Sequence, residues 1–481
     1  MEPVEKPSTK KSKLYEEIAK QVSHLIDRGT FRPGDRIPSV RKLSHQQKIS
    51  ITTVLEAYRL LENRGLIEAR PQSGYFVRAR FPTLPAEPEI SKPSQGPTRV
   101  SMGELVMMVL RDTHHPKLLQ LGAAIPSPEL LPTDKLNRTL SAMGRRHGVR
   151  GNSYDVPPGC QELRIQIARR ALTAGCALTP DEVVTTSGCQ EAIVLALRAT
   201  CGPGDTVAIE SPTFYGALQA MEMLGLRALE IPTHPRDGIS LEALSSAIQG
   251  RPIRACLLIP NFSNPLGSCM PDRKKRELVE LLSAYEIPLI EDDIYGDLSF
   301  SPERPKVAKA FDKKGLVLLC SSFSKTLAPG YRVGWVAPGR FKSEVERLKL
   351  VSNIGTVLLP QLAIAEFLAN GGYDHHLRRI RRIYARQVAL MAQAVSKFFP
   401  EGTRVTRPSG GFILWVELPE HVDSLELYEL AVKSGITFAP GPIFSAEQKY
   451  RNFIRLNAAR WSEKVEDALA RLGQLAARRE G

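Results

Sequence analysis

Residues 316–335 read LVLLCSSFSKTLAPGYRVGW and give the clearest indication of fold and chemistry in this chain. The apolar first five residues are typical of a buried strand. Small hydroxyl residues and then Lys325 follow, and an ammonium group at the end of a buried strand leaves water at a large free-energy cost. A carbonyl compound that condenses with the lysine removes this cost. The alternative is a lysine that reaches solvent from the strand end.

Pyridoxal phosphate is a cofactor that forms such a Schiff base with lysine. The residues around Lys325 suit its phosphate group, because hydroxyl and guanidinium groups donate hydrogen bonds to phosphate oxygens. Ser322, Ser324 and Arg332 supply these groups. The stretch therefore predicts a strand end that binds pyridoxal phosphate.

Length and composition limit the class of protein. A chain of 481 residues is too long for one ordinary core, so we expect two or three domains. With 42% hydrophobic and 24% charged residues it matches a soluble globular protein, and no apolar run reaches membrane-spanning length. Seven scattered cysteines without a Cys-x-x-Cys pair argue against disulfides and zinc. Because the N-terminus also lacks a signal-peptide apolar region, we expect a cytoplasmic protein without membrane contact.

The first 80 residues form a basic region. They hold 16 Lys and Arg against 9 Asp and Glu, which gives half of the net charge of +14. Such a concentration favours a polyanionic partner, and a solvated basic surface is the alternative. Apolar residues at helical spacing predict a helix from Leu14, and Ser39 and Ser50 are placed to cap two further helices. Alternating segments at 66–70 and 74–77 then predict a hairpin.

Residues 14–78 resemble the winged helix-turn-helix domain of the GntR family of regulators. The matching sequences are PGDRIPSVRKL and ITTVLEAYRLLENRGLIEARPQSGYFV. The resemblance implies binding to double-stranded promoter DNA through phosphate contacts, base-edge contacts in the major groove and a wing along the backbone. The residues that it assigns to DNA binding are Arg36, Ser39, Arg41, Thr52, Thr53 and Gly74. Ile51 stands where the family often has arginine, so the operator is not predicted. A three-helix packing module without a DNA role is the alternative.

A proline-rich segment follows this region. Prolines at 82, 85, 88, 93 and 97 deny it a helix and favour an extended chain. We therefore predict a DNA-binding domain over 1–80 and a linker over 81–100 that lets it move. A large domain is predicted over 101–481, with a smaller subdomain mainly at 345–481.

The large region alternates strand-like runs with helical stretches. This alternation is typical of an α/β fold, in which ligands bind at strand ends. Helices are expected between the strands, for example at 190–200 and 274–285. The predicted strands are 183–186, 206–210, 255–259, 288–291, 316–320 and 333–336.

Two further strand ends carry polar groups that suit the same cofactor. Gly188, Cys189 and Gln190 open a helix, whose first N–H groups are free to bind an anion such as phosphate. Simple helix capping is the alternative there. Asn264 lies in an Asn-Pro turn, from which its amide could donate to the phenolate oxygen of the cofactor.

Three adjacent acids, Glu291, Asp292 and Asp293, follow another apolar run. Buried carboxylates repel one another unless a cation pairs with one of them, and the protonated pyridine nitrogen of the cofactor would be that cation. Tyr295 could bond the ring oxygen. A metal site or a solvated turn is the alternative, and the absence of a nearby histidine argues against metal. Near the C-terminus, Arg455 could bind a substrate carboxylate or form a structural ion pair.

Jointly these segments resemble the fold-type I pyridoxal-phosphate enzymes of the class I aminotransferase group, from about residue 115 to 475. The resemblance implies a large α/β domain with a mixed sheet and a smaller C-terminal α+β domain. It implies that Lys325 binds the aldehyde and Asp292 pairs with the pyridine nitrogen. Asn264 and Tyr295 would hold the ring oxygen.

The same resemblance assigns the remaining site residues. Phe214 would stack on the ring, although many relatives have tyrosine there, and Arg455 would take a carboxylate. The phosphate would be held by Gly188, Cys189, Gln190, Ser322 and Arg332, with Tyr154 reaching in from a second subunit.

A GntR-like head joined to an aminotransferase-like body resembles the MocR-type regulators, bacterial transcription factors that use the pyridoxal-phosphate fold as a ligand sensor. This implies a homodimer that binds pyridoxal 5'-phosphate at Lys325 and an amino compound or amino acid as effector. One alternative is an active aminotransferase that keeps a DNA-binding head, because Lys325, Asp292 and Arg455 supply the catalytic groups. Another is a pyridoxal-phosphate protein whose head serves only for dimerisation.

Overall fold

The chain forms two compact units that divide between Thr83 and Leu84. The computed structural model describes residues 14–27, 30–31, 34–63, 66–70, 73–77, 84–112, 115 and 117–477. Within these residues, no helix has the length and apolar character needed to cross a membrane. The described residues also contain no group of three or more His, Cys, Asp or Glu side chains placed to hold a metal ion.

The first unit is a three-helix module with a hairpin. Its elements are α1 Leu14–Asp27, α2 Val40–Gln47, α3 Ile51–Asn63, β1 Ile67–Arg70 and β2 Gly74–Val77. The predicted caps are present, since Ser39 Oγ accepts from the Lys42 amide at 3.3 Å and Ser50 Oγ from the Thr53 amide at 3.1 Å. The buried residues of α3, which are Val54, Ala57, Tyr58 and Leu61, form the core with Ile18, Leu43 and Val77. The helix-turn-helix and its wing are therefore confirmed as a fold.

Residues 84–99 run along the surface of the second unit. The prolines predict an extended chain, and residues 84–97 form neither helix nor strand. The structure differs from the predicted linker in one respect. This segment is held by backbone hydrogen bonds to distant parts of the second unit, whereas the prediction is a chain that is free to move. The Val405 amide donates to the Ala86 carbonyl at 2.9 Å, and the Ser91 amide donates to the Thr233 carbonyl at 3.3 Å. These bonds involve residues far away in the sequence, which composition alone does not reveal.

The second unit contains a nine-stranded mixed sheet. In spatial order its strands are β3 Thr98–Arg99, β7 Arg227–His234, β6 Thr206–Ser211, β9 Ala255–Leu258, β10 Leu289–Asp292, β11 Val317–Ser322, β12 Gly334–Ala337 and β5 Val184–Thr186, with β8 Gly238–Ile239 paired to β7. All six predicted strands form, with ends within two residues of the prediction. β6, β7, β9, β10 and β11 are parallel, whereas β12 is antiparallel to both of its neighbours. The carboxyl ends of the parallel strands consequently meet at one edge.

Helices cover this sheet on both faces. The helices of this part of the chain are α4 Gly103–Asp112, α5 Thr133–His147, α6 Gln161–Ala171, α7 Cys189–Thr200, α8 Tyr215–Met223, α9 Leu241–Gly250, α10 Asp272–Ala284, α11 Lys342–Asn353 and α12 Leu358–Ala369. Successive strand residues point to opposite faces: Leu318 packs in the cluster that contains α7, and Val317 packs in the cluster that contains α10. Burial on both faces explains why these strands read as continuous apolar runs.

A smaller sheet lies towards the C-terminus. Its strands, in spatial order, are β13 Arg404–Val405, β14 Ile413–Glu417, β17 Phe453–Asn457 and β16 Ala439–Pro440. The remaining elements are α13 Gly372–Phe398, α14 Ser424–Lys433, α15 Glu463–Ala476, and β15 Ile436–Thr437, which pairs with β4 Leu119–Gln120. β4 comes from well before residue 345, so this region includes an early piece of the chain. The predicted α/β architecture with a mixed sheet is confirmed.

Candidate functional site

The carboxyl ends of the parallel strands surround a cavity of about 300 Å³. Residues from five separate strand ends contribute side chains to it, as expected for an α/β fold. The predicted residues that line it are Cys189, Gln190, Phe214, Asn264, Asp292, Tyr295, Ser324, Lys325 and Arg332. The fold therefore brings together nine predicted side chains that span more than 140 positions of the sequence.

Lys325 lies in the wall of this cavity. Its Nζ donates a hydrogen bond to the Ala124 carbonyl at 2.6 Å. Burial disfavours the ammonium form, and the nearby positive charge of Arg455 adds to the effect, so the pKa of Lys325 falls to about 8. A lysine with this pKa is partly neutral near pH 7–8 and is a better nucleophile than a solvated one.

Asp292, the last residue of β10, also lines the cavity and is 3% exposed. Its Oδ1 accepts from the Ile294 amide at 3.1 Å and from the Cys189 thiol at 3.2 Å. Burial raises the pKa of Asp292 to about 6, and the negative charge of Asp293 contributes to the increase. The carboxylate is therefore formed at neutral pH and lies in a place where a cationic ligand would stabilise it.

The two other acids of this segment face away from the cavity. Glu291 accepts from the backbone amides of Ala308 at 2.6 Å and Lys309 at 2.9 Å. Asp293 is bonded to the Asn261 amide and to the Arg304 guanidinium. Protein groups thus stabilise the carboxylates of both Glu291 and Asp293. Asp292 is therefore the acid of the three that a ligand in the cavity can reach.

Arg455 lies beside the cavity and is fully buried. Its Nη1 donates to Asn264 Oδ1 at 2.8 Å, and its Nη2 donates to the Gly122 carbonyl. Burial lowers the pKa of Arg455. Its Nε is buried and has no hydrogen-bond partner among the described residues, and the same holds for the hydroxyl of Tyr295. Two orphaned donors next to one cavity indicate that a polar ligand completes the site.

A cradle lies at the start of α7. Gly188 adopts φ +90°, and a Cβ there would overlap the guanidinium of Arg332. Arg332 Nη2 donates to the Ser187 carbonyl at 3.1 Å and its Nη1 donates to Ser324 Oγ at 3.4 Å. Amide groups of a helix N-terminus, a guanidinium and a hydroxyl therefore converge, which is the donor set that a phosphate group requires.

Two predicted site residues lie elsewhere in this chain. Ser322 does not line the cavity, since it faces a separate small cavity and its Oγ accepts from the Ser324 amide at 3.2 Å. That bond turns the chain after β11, so that of the two serines predicted to suit the phosphate, Ser324 lines the cavity and Ser322 does not. Tyr154 is 81% exposed and is absent from the cavity wall of its own chain.

Sequence reasoning missed several groups of the cavity wall. Tyr215, next to the predicted Phe214, lines the cavity, and so does the segment 123–125. Asn457 holds that segment, because its Nδ2 donates to the Ala123 carbonyl at 2.6 Å and to the Ile125 carbonyl at 2.9 Å. The Gly-Ala-Ala-Ile-Pro sequence after an apolar run was the available signal. It indicates a turn, but it does not reveal which residues the turn contacts.

The predicted DNA-binding residues lie on the surface of the first unit. Arg36, Ser39, Arg41 and Thr52 are exposed, and the Arg36 side chain packs against Gly74 of the hairpin. The hydroxyl of Thr53 is bonded to Ser50 Oγ at 2.7 Å, so it also stabilises the start of α3. Exposed basic side chains therefore lie at the beginning of α2, and threonine side chains lie at the beginning of α3.

Comparisons with known proteins agree with both units. The family model "Aminotransferase class I and II" matches residues 130–472, and "Bacterial regulatory proteins, gntR family" matches residues 14–77. Two uncharacterized HTH-type transcriptional regulators of Escherichia coli strain K12, YdcR and YjiR, are each 41% identical to this chain. Each alignment covers 96% of this chain and 99% or 98% of the relative.

Solved structures resemble the second unit. LysN, the α-aminoadipate aminotransferase of Thermus thermophilus complexed with N-(5'-phosphopyridoxyl)-L-leucine, is 28% identical with a TM-score of 0.72, covering 79% of this chain and 95% of that one. The kynurenine aminotransferase of Pyrococcus horikoshii, in complex with PMP, is 29% identical with a TM-score of 0.72 over 78% of this chain and 94% of that one. The chain therefore belongs to the MocR-type family of HTH-type transcriptional regulators, in which a GntR domain is joined to an aminotransferase class I and II domain.

Proposed function

We propose that this regulator binds pyridoxal phosphate in the cavity at Lys325, responds to an amino compound there, and binds promoter DNA through its first unit. The observation that carries the proposal is that Lys325 and Asp292 line one cavity, although they come from different strand ends. A lysine with a lowered pKa and a buried acid are the two groups that an aldehyde on a pyridine ring needs.

The other residues of the cavity fit this cofactor. The donors around Gly188, Ser324 and Arg332 would hold the phosphate group, and Asp292 would bond the pyridine nitrogen. The hydroxyl of Tyr295, which has no partner among the described residues, would bond the phenolate oxygen. When bound, the cofactor supplies an aldehyde that reacts with amines and a ring that withdraws electrons from them.

The effector that we propose is an amino compound with a carboxylate, such as an amino acid. Arg455 supports this choice, because its Nε is buried and free of a partner within the described chain while its other nitrogens are engaged. A carboxylate at Nε would satisfy this donor. A ligand changes DNA binding only if it binds one conformation of the protein more tightly than another.

We further propose that the protein acts as a homodimer, in which Tyr154 reaches the phosphate site of the partner. Exposed apolar side chains concentrate in two segments, 149–156 and 350–357, and include Val149, Val351 and Val357. The segments touch, because a Cβ on Gly355 would overlap the Asp155 carbonyl. A contiguous apolar surface of this kind favours a protein partner. A solution mass of one chain at micromolar concentration would contradict the dimer.

Visible absorbance tests the cofactor part. Full-length protein is mixed with pyridoxal phosphate and freed of excess cofactor. We expect the wild type to retain a visible band and Lys325→Ala to lose it. Lys397→Ala is a suitable control, because Lys397 is an exposed lysine near the end of α13. A band that persists in Lys325→Ala would show that the cofactor is bound elsewhere.

Binding to promoter fragments tests the DNA part. We expect the wild type to prefer a fragment upstream of its own or a neighbouring gene over unrelated DNA of equal length. Thr52→Ala combined with Thr53→Ala should remove this preference and keep salt-sensitive non-specific binding, because base contacts carry the sequence information and phosphate contacts do not. A wild type without preference for any promoter fragment would contradict a regulatory role.

Transamination is the second candidate function, and the position of Arg455 beside the cavity that Lys325 and Asp292 line favours it. With a pKa of about 8, the Lys325 amine exchanges a proton readily near neutral pH, as a catalytic base must. Incubation with amino acids and 2-oxoglutarate distinguishes the two functions. Turnover of about 1 per second or faster is ordinary for enzymes and would indicate a transaminase. Binding without turnover would indicate a sensor.

A further inference from the structure

The thiol of Cys189 lines the cavity and contacts its buried acid. Cys189 is the first residue of α7 and is 5% exposed. Its Sγ lies 3.2 Å from Asp292 Oδ1 and donates a hydrogen bond to it. Sequence reasoning used only the backbone of Cys189, as part of a phosphate site, and gave its side chain no role.

The two oxygens of Asp292 have different surroundings. Oδ1 receives two hydrogen bonds, from the Cys189 thiol and from the Ile294 amide at 3.1 Å. No residue in the described part of the chain donates to Oδ2. A carboxylate that is 3% exposed and has one oxygen without a donor is an anionic group directed at a ligand. The structure thus separates an oxygen that is held by protein from an oxygen that is open to the cavity.

The charge of Asp292 depends on its surroundings. Burial raises its pKa to about 6, whereas the hydrogen bond from Cys189 lowers it. Other titratable groups, on several elements, interact electrostatically with Asp292 in addition to the thiol. They are Asp293 and Tyr295 after β10, Lys325 and Cys320 from β11 and its turn, and Glu210 in β6.

We propose that Cys189 is a positioning residue: its thiol holds Asp292 as a carboxylate and orients it, so that Oδ2 bonds the protonated ring nitrogen of pyridoxal phosphate. This proposal rests on the proposed function and adds a residue to it. The backbone of Cys189 opens the helix at the phosphate cradle, and its side chain bonds the acid at the ring. One residue therefore sets the spacing between the two ends of the cofactor site.

Two substitutions separate the hydrogen bond from packing. Cys189→Ala removes the donor and keeps the backbone, whereas Cys189→Ser keeps a donor, and a hydroxyl is a stronger donor than a thiol. Cys256→Ala is a matched control, because Cys256 is fully buried in β9 of the same sheet and gives no hydrogen bond to Asp292. The dissociation constant of pyridoxal phosphate is measured by absorbance for each full-length protein between pH 5 and 8.5.

We expect Cys189→Ala to bind pyridoxal phosphate roughly three- to tenfold more weakly at pH 5, which is the size of one ordinary hydrogen bond, and less than about twofold more weakly at pH 7, where most of Asp292 is already ionised. The pH at which half of the binding is lost should rise by roughly half a unit to one unit. The difference should shrink towards pH 8.5, where the carboxylate is ionised in every variant. Cys189→Ser should restore the wild-type midpoint or lower it, and Cys256→Ala should leave it unchanged.

A purely structural role of Cys189 gives a different result. Binding would then weaken equally at every pH, and serine would not restore it, so either outcome would overturn the proposal. The same holds if Cys189→Ala has the midpoint of the wild type. A wild type that binds no pyridoxal phosphate at all would instead overturn the proposed function, and the two failures are therefore distinguishable.

Discussion

The two units of this protein place their proposed functional groups in opposite ways. In the first unit, Arg41 and Thr52 lie on the exposed faces of helices whose other faces bury Leu43 and Leu61. In the second, the groups proposed to bind the cofactor line an interior cavity where strands end. A DNA-binding surface needs only a stably folded domain beneath it. A buried reactive site also needs a hydrogen bond or an opposite charge for every charged group that it removes from water.

This difference predicts that stability and ligand binding can be changed separately in the two units. The first unit is small and buries little surface for its size, so it has little stability to lose. The second has several apolar clusters around its sheets. Three substitutions test the separation, in order of decreasing effect.

Leu61→Ala should have the largest effect. Leu61 is fully buried in the core of the first unit, and removal of such a side chain costs about 2–5 kcal/mol. We expect urea to abolish DNA binding at a lower concentration than in the wild type, while the absorbance of bound pyridoxal phosphate is lost at an unchanged concentration. Leu60→Ala, on the same helix but only partly buried, should cost less. Simultaneous loss of both signals would show that the units unfold together.

Gly188→Ala should affect the second unit alone. A residue other than glycine at φ +90° and ψ 170° is strained by about 1–3 kcal/mol, and the new Cβ would also displace Arg332 from the cradle. We expect pyridoxal phosphate to bind roughly 5- to 150-fold more weakly, with unchanged DNA preference. Gly204→Ala is a matched control, because Gly204 has φ +87° but no atoms near a Cβ. Equal losses in both variants would mean that backbone strain outside the cradle, and not the cradle itself, controls binding.

Ser39→Ala should have the smallest effect. The hydroxyl of Ser39 caps α2, and loss of such a cap costs about 1 kcal/mol. We expect a slightly lower urea midpoint for DNA binding and an unchanged midpoint for cofactor absorbance, with Ser39→Thr recovering most of the loss. A DNA-binding midpoint in Ser39→Ala equal to that of the wild type would show that the cap does not limit the stability of the first unit.

Local patterns predicted most of the fold, because helices and buried strands depend on residues close together in the sequence. Ser39 and Ser50 cap helices as predicted, and the apolar run before Lys325 forms β11. The site residues that could be placed in advance were those directly after a strand, since the end of a strand fixes where they lie.

The remaining features depend on contacts between distant segments. That Ser324 lines the cavity and Ser322 does not follows from how the turn after β11 is bonded, and spacing alone does not distinguish the two. The bond between Arg455 and Asn264 joins a strand of the smaller sheet to the loop that follows β9 of the larger one. Likewise, the extended chain after Leu84 has the proline-rich composition of a linker, but hydrogen bonds hold it to both sheets.

The hydrogen bonds at segment 122–125 have a consequence for ligand affinity. The Ala124 and Gly122 carbonyls accept hydrogen bonds from Lys325 and Arg455. A ligand that engages both cations therefore exchanges one set of partners for another, and only the surplus appears as binding free energy. Under the proposed function, such an exchange would keep the affinity moderate, so that the regulator would release its effector when the cellular concentration falls.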